Sequence, residues 1–126
     1  MNRITEIEIA GRKYPLNFSV KAAKEVSKRY GDIANVGDAF ANKPLDEMMD
    51  EANWLLALLI DQGIQYKKII EGEELKGITK DELEIVMGVT DFADLKDTLL
   101  CAMTAGMKRE VEVNQDPKNA EATQNK

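Results

Sequence analysis

Side chains able to do chemistry are sparsely supplied in this chain. Its 126 residues include no histidine and a single cysteine, Cys101. The commonest general base and the commonest metal ligand are therefore missing. An intrachain disulfide is ruled out, and a zinc site would need carboxylates almost alone. Gly31 and Gly37, or Gly72 and Gly77, have neither the spacing nor the Lys-Ser/Thr ending of a phosphate loop, and no D-x-[DN]-x-[DN]-G run is available for calcium. Carboxylates do recur at helical spacing. Asp46/Asp50 and Glu47/Asp50 fall on one helix face, where they would suit a metal or acid–base work, but solvated surface charge is the simpler reading. The clusters Glu71, Glu73, Glu74 and Asp81, Glu82, Glu84 read as a solubility device. Cys101, among Leu99, Leu100 and Ala102, reads as a small buried hydrophobe, because a nucleophile would need a base. An enzyme built on this chain would have only carboxylates and lysines to work with. The expectation is no catalysis, no cofactor and no metal.

Charge narrows the partners. With 17 basic and 23 acidic residues the formal net charge is −6. That balance disfavours nucleic acid, whose binding is dominated by Lys and Arg on phosphate, and it disfavours an anionic membrane surface. The longest apolar run is far below the roughly 18–20 residues that span a bilayer. Met1-Asn2-Arg3-Ile4-Thr5-Glu6 has no apolar core of a secretory signal. These features predict a chain that stays in the cytosol where it is made. Its length predicts one domain over residues 1–113, able to bury a core without staples, followed by a polar tail over 114–126. The tail has no large apolar residue with which to offset its ordering entropy, so it is expected to be disordered.

The elements that must position these residues follow from periodicity. Ile7 and Ile9 alternate with polar residues, Ala10-Gly11 suits a tight turn, and Tyr14, Leu16 and Phe18 resume the alternation; residues 3–18 read as a β-hairpin with Pro15 offered to an edge. An isolated hairpin is marginal in water and must lie on helices. Ser19 is placed to cap a helix carrying Ala23, Val26, Ser27 and Tyr30, with Gly31 ending it and Lys21, Lys24, Lys28 and Arg29 mostly on the solvent side. A weaker segment anchored by Val36 and Phe40 follows. Residues 45–70 form the organising element, a long helix whose apolar stripe includes Leu45, Met48, Met49, Ala52, Leu55, Leu56, Leu59, Ile60 and Gly63. Trp54, Ala57 and Leu58 widen that stripe, so Trp54 and the 55–60 run are expected to be core scaffold. Pro44 suits its first turn, a bend is admissible at Gly63, and Gly72 suits its C-cap. Thr79 and Glu82 form a capping box for a short helix carrying Leu83, Val86 and Met87, which Gly88 stops. Thr90 or Asp91 is expected to cap a last helix striped by Phe92, Leu95, Leu99, Ala102, Met103 and Gly106. The fold class expected is mostly α (α+β): an N-terminal β-hairpin packed on a bundle of about four to five helices with a long central one.

That order of elements carries a resemblance. A hairpin with Gly11-Arg12-Lys13-Tyr14-Pro15-Leu16-Asn17-Phe18 comes first, then a helix of the type Lys21-Ala22-Ala23-Lys24-Glu25 leading to Tyr30-Gly31. Trp54-Leu55-Leu56-Ala57-Leu58-Leu59-Ile60-Asp61-Gln62-Gly63-Ile64-Gln65-Tyr66 follows. The chain ends in Gly106-Met107-Lys108-Arg109-Glu110-Val111-Glu112-Val113 and a polar tail. Over nearly its whole length it resembles a family of tail assembly chaperones of long-tailed, siphovirus-type phages and prophages, chiefly from Gram-positive hosts. The resemblance rests on the ordered set rather than on any one motif, and it brings no catalytic residues. It implies a protein encoded between the tail tube and tape measure proteins, acting in the host bacterial cytoplasm. Such a protein would coat the hydrophobic tape measure protein, recruit tail tube protein subunits and be absent from the finished virion. In many such phages a translational frameshift gives a longer second form, and the segment after Val113 would then be the joint.

The residues themselves leave an alternative open: a non-catalytic adaptor or regulatory protein of a prophage or mobile element, binding a host protein. They also leave the oligomeric state open, a curved or ring-like homo-oligomer being compatible with coating a rod. For partner contact the sequence points to the two ends of the long helix. Met48 and Met49 near its start offer adaptable thioethers, and Tyr66 lies beyond Gly63.

Overall fold

The structure, a computed structural model, describes residues 3–107. The alternation at 110–113 and the tail at 114–126 lie outside them. Two strands, β1 (Thr5–Ile9) and β2 (Arg12–Leu16), precede five helices: α1 (Val20–Tyr30), α2 (Val36–Ala39), α3 (Leu45–Glu71), α4 (Lys80–Val86) and α5 (Asp91–Gly106), with one 3₁₀ turn at Ile33–Asn35. The protein is mostly helical with a small antiparallel hairpin, an α+β arrangement.

The hairpin register sets Ile7 opposite Tyr14 and Glu8 opposite Lys13. One face is thereby apolar and the other carries an opposite-charge pair. Ala10 and Gly11 both have positive φ, 52° and 80°, as the turns that match strand twist require. In a two-stranded sheet both strands are edges, so Pro15 finds the position it needs. It is nonetheless buried, because β2 lies along α3.

Gly63 explains that contact. A methyl group on its Cα would stand 2.2 Å from the Pro15 carbonyl oxygen. The residue admitted from sequence as a bend is instead where strand backbone meets helix backbone, within a continuous α3. Gly106 does the same for α5, where a methyl would stand 2.5 Å from Phe18 Cβ. Between these contacts the Asn17 N–H donates to the Leu59 carbonyl at 3.1 Å, and the Ser19 hydroxyl lies 2.6 Å from Gln62 Oε1. Ser19 also caps α1, accepting from the Ala22 N–H at 3.0 Å.

The core gathers Tyr14, Leu16, Phe18, Ala22, Val26, Leu55, Leu56, Leu59, Ile60, Leu83, Leu99 and Met103 around the middle of α3. At the end of α3, Gly72 takes the left-handed conformation, and its N–H reaches the Lys67 and Lys68 carbonyls. Residues 72–79 then run back along α3, with Gly77 against Ile64, until Lys80 pairs with Asp50. The return covers roughly 30 Å of helix, so eight residues must be nearly extended. The Thr79–Glu82 capping box forms with both of its hydrogen bonds, at 2.9 and 3.1 Å.

Some sequence expectations are corrected. Cys101 is exposed, not buried, because α5 turns Leu99, Ala102 and Met103 to the core and leaves position 101 outside. On α1 it is Ala22 and Val26 that are fully buried, while Ser27 is exposed. Pro44 occupies the N-cap of α3 itself, without a side-chain hydrogen bond. Thr90 occupies the N-cap of α5 as expected but makes no side-chain cap hydrogen bond; the Asp91 carboxylate accepts from the Gly88 N–H at 2.8 Å, tying the turn before the helix. Trp54 is only half-buried. It lies at the rim of the core, where α1 reaches across to it.

Candidate functional site

The bridge at Trp54 borders a large depression, Glu51 lining it. From α1, the Arg29 guanidinium stands 4.4 Å from the Trp54 ring centroid and grips Glu51 with two hydrogen bonds, 2.8 and 3.1 Å. The Tyr30 hydroxyl donates to the same carboxylate at 2.6 Å, and its ring meets Trp54 edge-on, 6.0 Å between centroids. Cation–π contact and a bidentate carboxylate fork together fix α1 against α3. The hydrogen bond from Arg29 holds the Glu51 carboxyl below its ordinary pKa, with the Tyr30 hydroxyl adding to it against the opposing effect of burial. Burial first, and the Glu51 hydrogen bond second, push the Tyr30 phenol upward.

On the far side of Glu51 a groove of about 690 Å³ opens between the first half of α3, the end of α4 and the start of α5, a volume within the range of ligand and peptide sites. Its lining has two chemistries. Met49, Met87, Val89, Phe92 and Leu95 supply apolar surface, while Asp46, Glu47, Asp50 and Glu84 supply carboxylates. Lys80 pairs with both Asp50 and Glu84, and the hydrogen bond to Asp50 raises its pKa. Asp46 and Glu47 form no ion pair with any described residue. Asn53 also lines the groove; it is 9% exposed, and its buried Oδ1 accepts no hydrogen bond. Buried carbonyl oxygens without a donor are uncommon.

The corner between α4 and α5 is thinly packed. Leu83 is the only fully buried residue of α4, whereas Ile85, Val86 and Val89 are 81%, 46% and 70% exposed. A second depression, about 320 Å³, lies on its other side against the hairpin, lined in part by Ile7, Ile9, Val86 and Met87. Val89 thus stands exposed in the wall of the first depression and Val86 in that of the second.

Of the residues singled out from sequence, Met48 and Met49 are both half-buried, and only Met49 lines the groove. Tyr66 is about 26 Å further along the helix. It is half-buried, with the Arg3 guanidinium 5.7 Å from its ring centroid, and the three do not form one surface. Sequence reasoning passed over Asn53, Met87, Val89 and Phe92. A signal for Asn53 was present: it interrupts the stripe Met49, Leu56, Ile60 at helical spacing with a polar amide. Val89 lies beyond Gly88, where no periodicity assigns it a face.

No protein-family model, curated protein or solved structure matches this chain. Among the described residues no group of His, Cys, Asp or Glu is arranged to hold a metal ion, and no helix is long and apolar enough to cross a membrane. What the groove offers is apolar surface with an acidic rim, and in its wall the enclosed Asn53 Oδ1 has no donor.

Proposed function

We propose that this chain is a tail assembly chaperone of a siphovirus-type phage or prophage, a non-enzymatic protein that binds the tape measure protein and recruits tail tube protein in the host cytoplasm. The family resemblance over the ordered elements supports the assignment. The observation that supports it on the structural side is the groove between α3, α4 and α5, with exposed Val89 in its lining. A holdase for a long, apolar, helical client needs accessible apolar surface, modest individual contacts and high solubility. The groove provides the first two and the net charge of −6 the third. Many copies acting along one client make modest contacts sufficient.

Co-expression with the tape measure protein encoded downstream tests the reading. The tape measure should become more soluble and co-purify with this chain. Binding to neither tape measure nor tube protein would overturn it. A stable complex with a host protein, without effect on tail formation, would favour the adaptor role instead.

A further inference from the structure

We infer that the groove bounded by Asp46, Met49, Asn53, Met87 and Phe92 receives a basic amphipathic helix of a partner protein. Apolar anchors of that helix would fill the methionine- and phenylalanine-lined floor, and its Lys or Arg side chains would meet the carboxylates of the first turn of α3. This rests on the protein-binding reading above and adds which surface binds and what chemistry it recognises.

Three observations converge. Met49, Met87 and Phe92 are half-buried, and the two adaptable methionines line a groove of about 690 Å³, room for several side chains rather than one. Asp46 and Glu47 are exposed and without a cation among the described residues, while the neighbouring Asp50, Glu51 and Glu84 already have theirs in Lys80 and Arg29. Asp46 and Glu47 sit in the first turn of α3, favoured there by the helix N-terminus, and the groove thus keeps carboxylates without a paired cation at one end. The Asn53 carbonyl oxygen, in a side chain nine-tenths buried, has no donor within the protein. A helix presenting apolar residues at i, i+3 or i+4 and i+7, flanked by Lys or Arg, answers the first two, and seating it against α3 would have to turn the Asn53 amide, enclosed in the unbound chain, outward to reach a donor.

Other occupants fit less well. Nucleic acid is repelled by the acidic rim. For a metal ion, the groove's carboxylates are not grouped as a set of ligands among the described residues. A second copy would have to offer a basic helix, and α1 is the exposed candidate; its outer face is Lys21, Lys24, Ser27 and Lys28 with Val20 as a single exposed apolar anchor at its start, short of the row of anchors the groove floor would take.

The test is fluorescence anisotropy with the full chain and a labelled synthetic helix of about 20 residues, leucine on one face and lysine flanking it. The controls are the same peptide with glutamate in place of lysine and a scrambled lysine peptide without an apolar face. Binding is expected for the first peptide only, weakening as salt rises. Asp46→Asn with Glu47→Gln should weaken it by about tenfold with only the small fall in thermal midpoint that losing two first-turn carboxylates brings, and Asn53→Leu should weaken it while the chain stays folded. Equal binding of the scrambled or glutamate peptide, no binding, or no response to these substitutions would overturn the inference. So would a concentration-dependent oligomer that the Asp46/Glu47 variant abolishes, because the occupant would then be a second copy. The chaperone reading fails separately: the peptide would bind and respond to the substitutions while the tape measure protein did not bind. Conversely, a tape measure protein held equally well by the groove variants would retain that reading and sink this one.

Discussion

The two halves of α3 are packed on opposite terms. Around Gly63 the helix meets β2 so closely that a single methyl would stand 2.2 Å from a backbone oxygen. About 15 Å away along the same helix, Asn53 lines a groove of about 690 Å³. At the first place two backbones touch, and Asn17, Ser19 and Gln62 tie them with hydrogen bonds. At the second, α4 is held by Leu83 and leaves Ile85 and Val86 in water. One helix therefore serves as a fixed frame at one end and as a wall of an open site at the other. Tight packing needs small residues and tolerates no change of volume, whereas a surface that accepts a partner must leave apolar area uncovered. The two requirements are separated along α3 rather than compromised at one place.

Breaking the tight end should have the largest effect. Gly63→Ala must push α3 away from Pro15, and overpacking backbone on backbone should cost roughly 3 kcal/mol or more. A chemical denaturation midpoint lowered cooperatively for the whole protein would show it. A Gly63→Ala variant as stable as the parent would mean that the strand–helix contact is not tight. Leu83→Ala tests the loose end. Deleting its fully buried side chain should cost about 2–4 kcal/mol. Because the other tie of α4 to α3 is the partly exposed Lys80–Asp50 pair, hydrogen exchange should accelerate first in α4 amides and only later around Leu55 to Ile60. Uniform acceleration would show that α4 is part of the main cooperative unit and would erase the contrast.

The junction between the two ends is read by pH. Glu51 has a depressed pKa in the folded chain, so its stabilisation is present above its ordinary value of 4.5 and is lost as pH falls below that. Tyr30 is raised, so its contribution is present below its ordinary value of 10.0 and is lost as pH climbs past it. Glu51→Gln should lower stability by about 1–2 kcal/mol at neutral pH, with the difference from the parent closing well below pH 4.5 in thermal midpoints. A difference that persists in acid would mean that the Arg29 fork is not what Glu51 contributes.

How much of this was legible beforehand follows the same division. The hairpin, the Ser19 cap, the Thr79–Glu82 box and the span of α3 are local matters, set by alternation, caps and helical period within a few residues, and the sequence states them. Gly63 and Gly106 were visible on apolar stripes, but which backbone approaches them depends on how β2 and the segment after it dock, a tertiary fact. Trp54 and Cys101 were misjudged for one reason. Apolar neighbours in sequence do not fix a residue's angular position relative to distant elements, so Cys101 faces outward beside buried Ala102. Most of the groove was illegible because its walls come from segments more than thirty residues apart, joined by the return of 72–79 along α3. Only Met49 was singled out on general grounds of adaptability.

Asn53 gives the smallest expected change in stability and the sharpest test of why the open end is open. If its amide were simply tolerated in the core, replacing it with leucine would fill much the same volume with apolar atoms and remove an unpaired buried carbonyl. The fold should then gain about 1 kcal/mol, seen as a small rise in thermal midpoint. A residue retained against that gain is held for another reason, since stability and function commonly trade at binding sites. The stabilised variant should therefore also be the poorer binder. A variant that is destabilised instead would assign Asn53 to the frame and move the boundary between the two halves of α3 closer to Asp46.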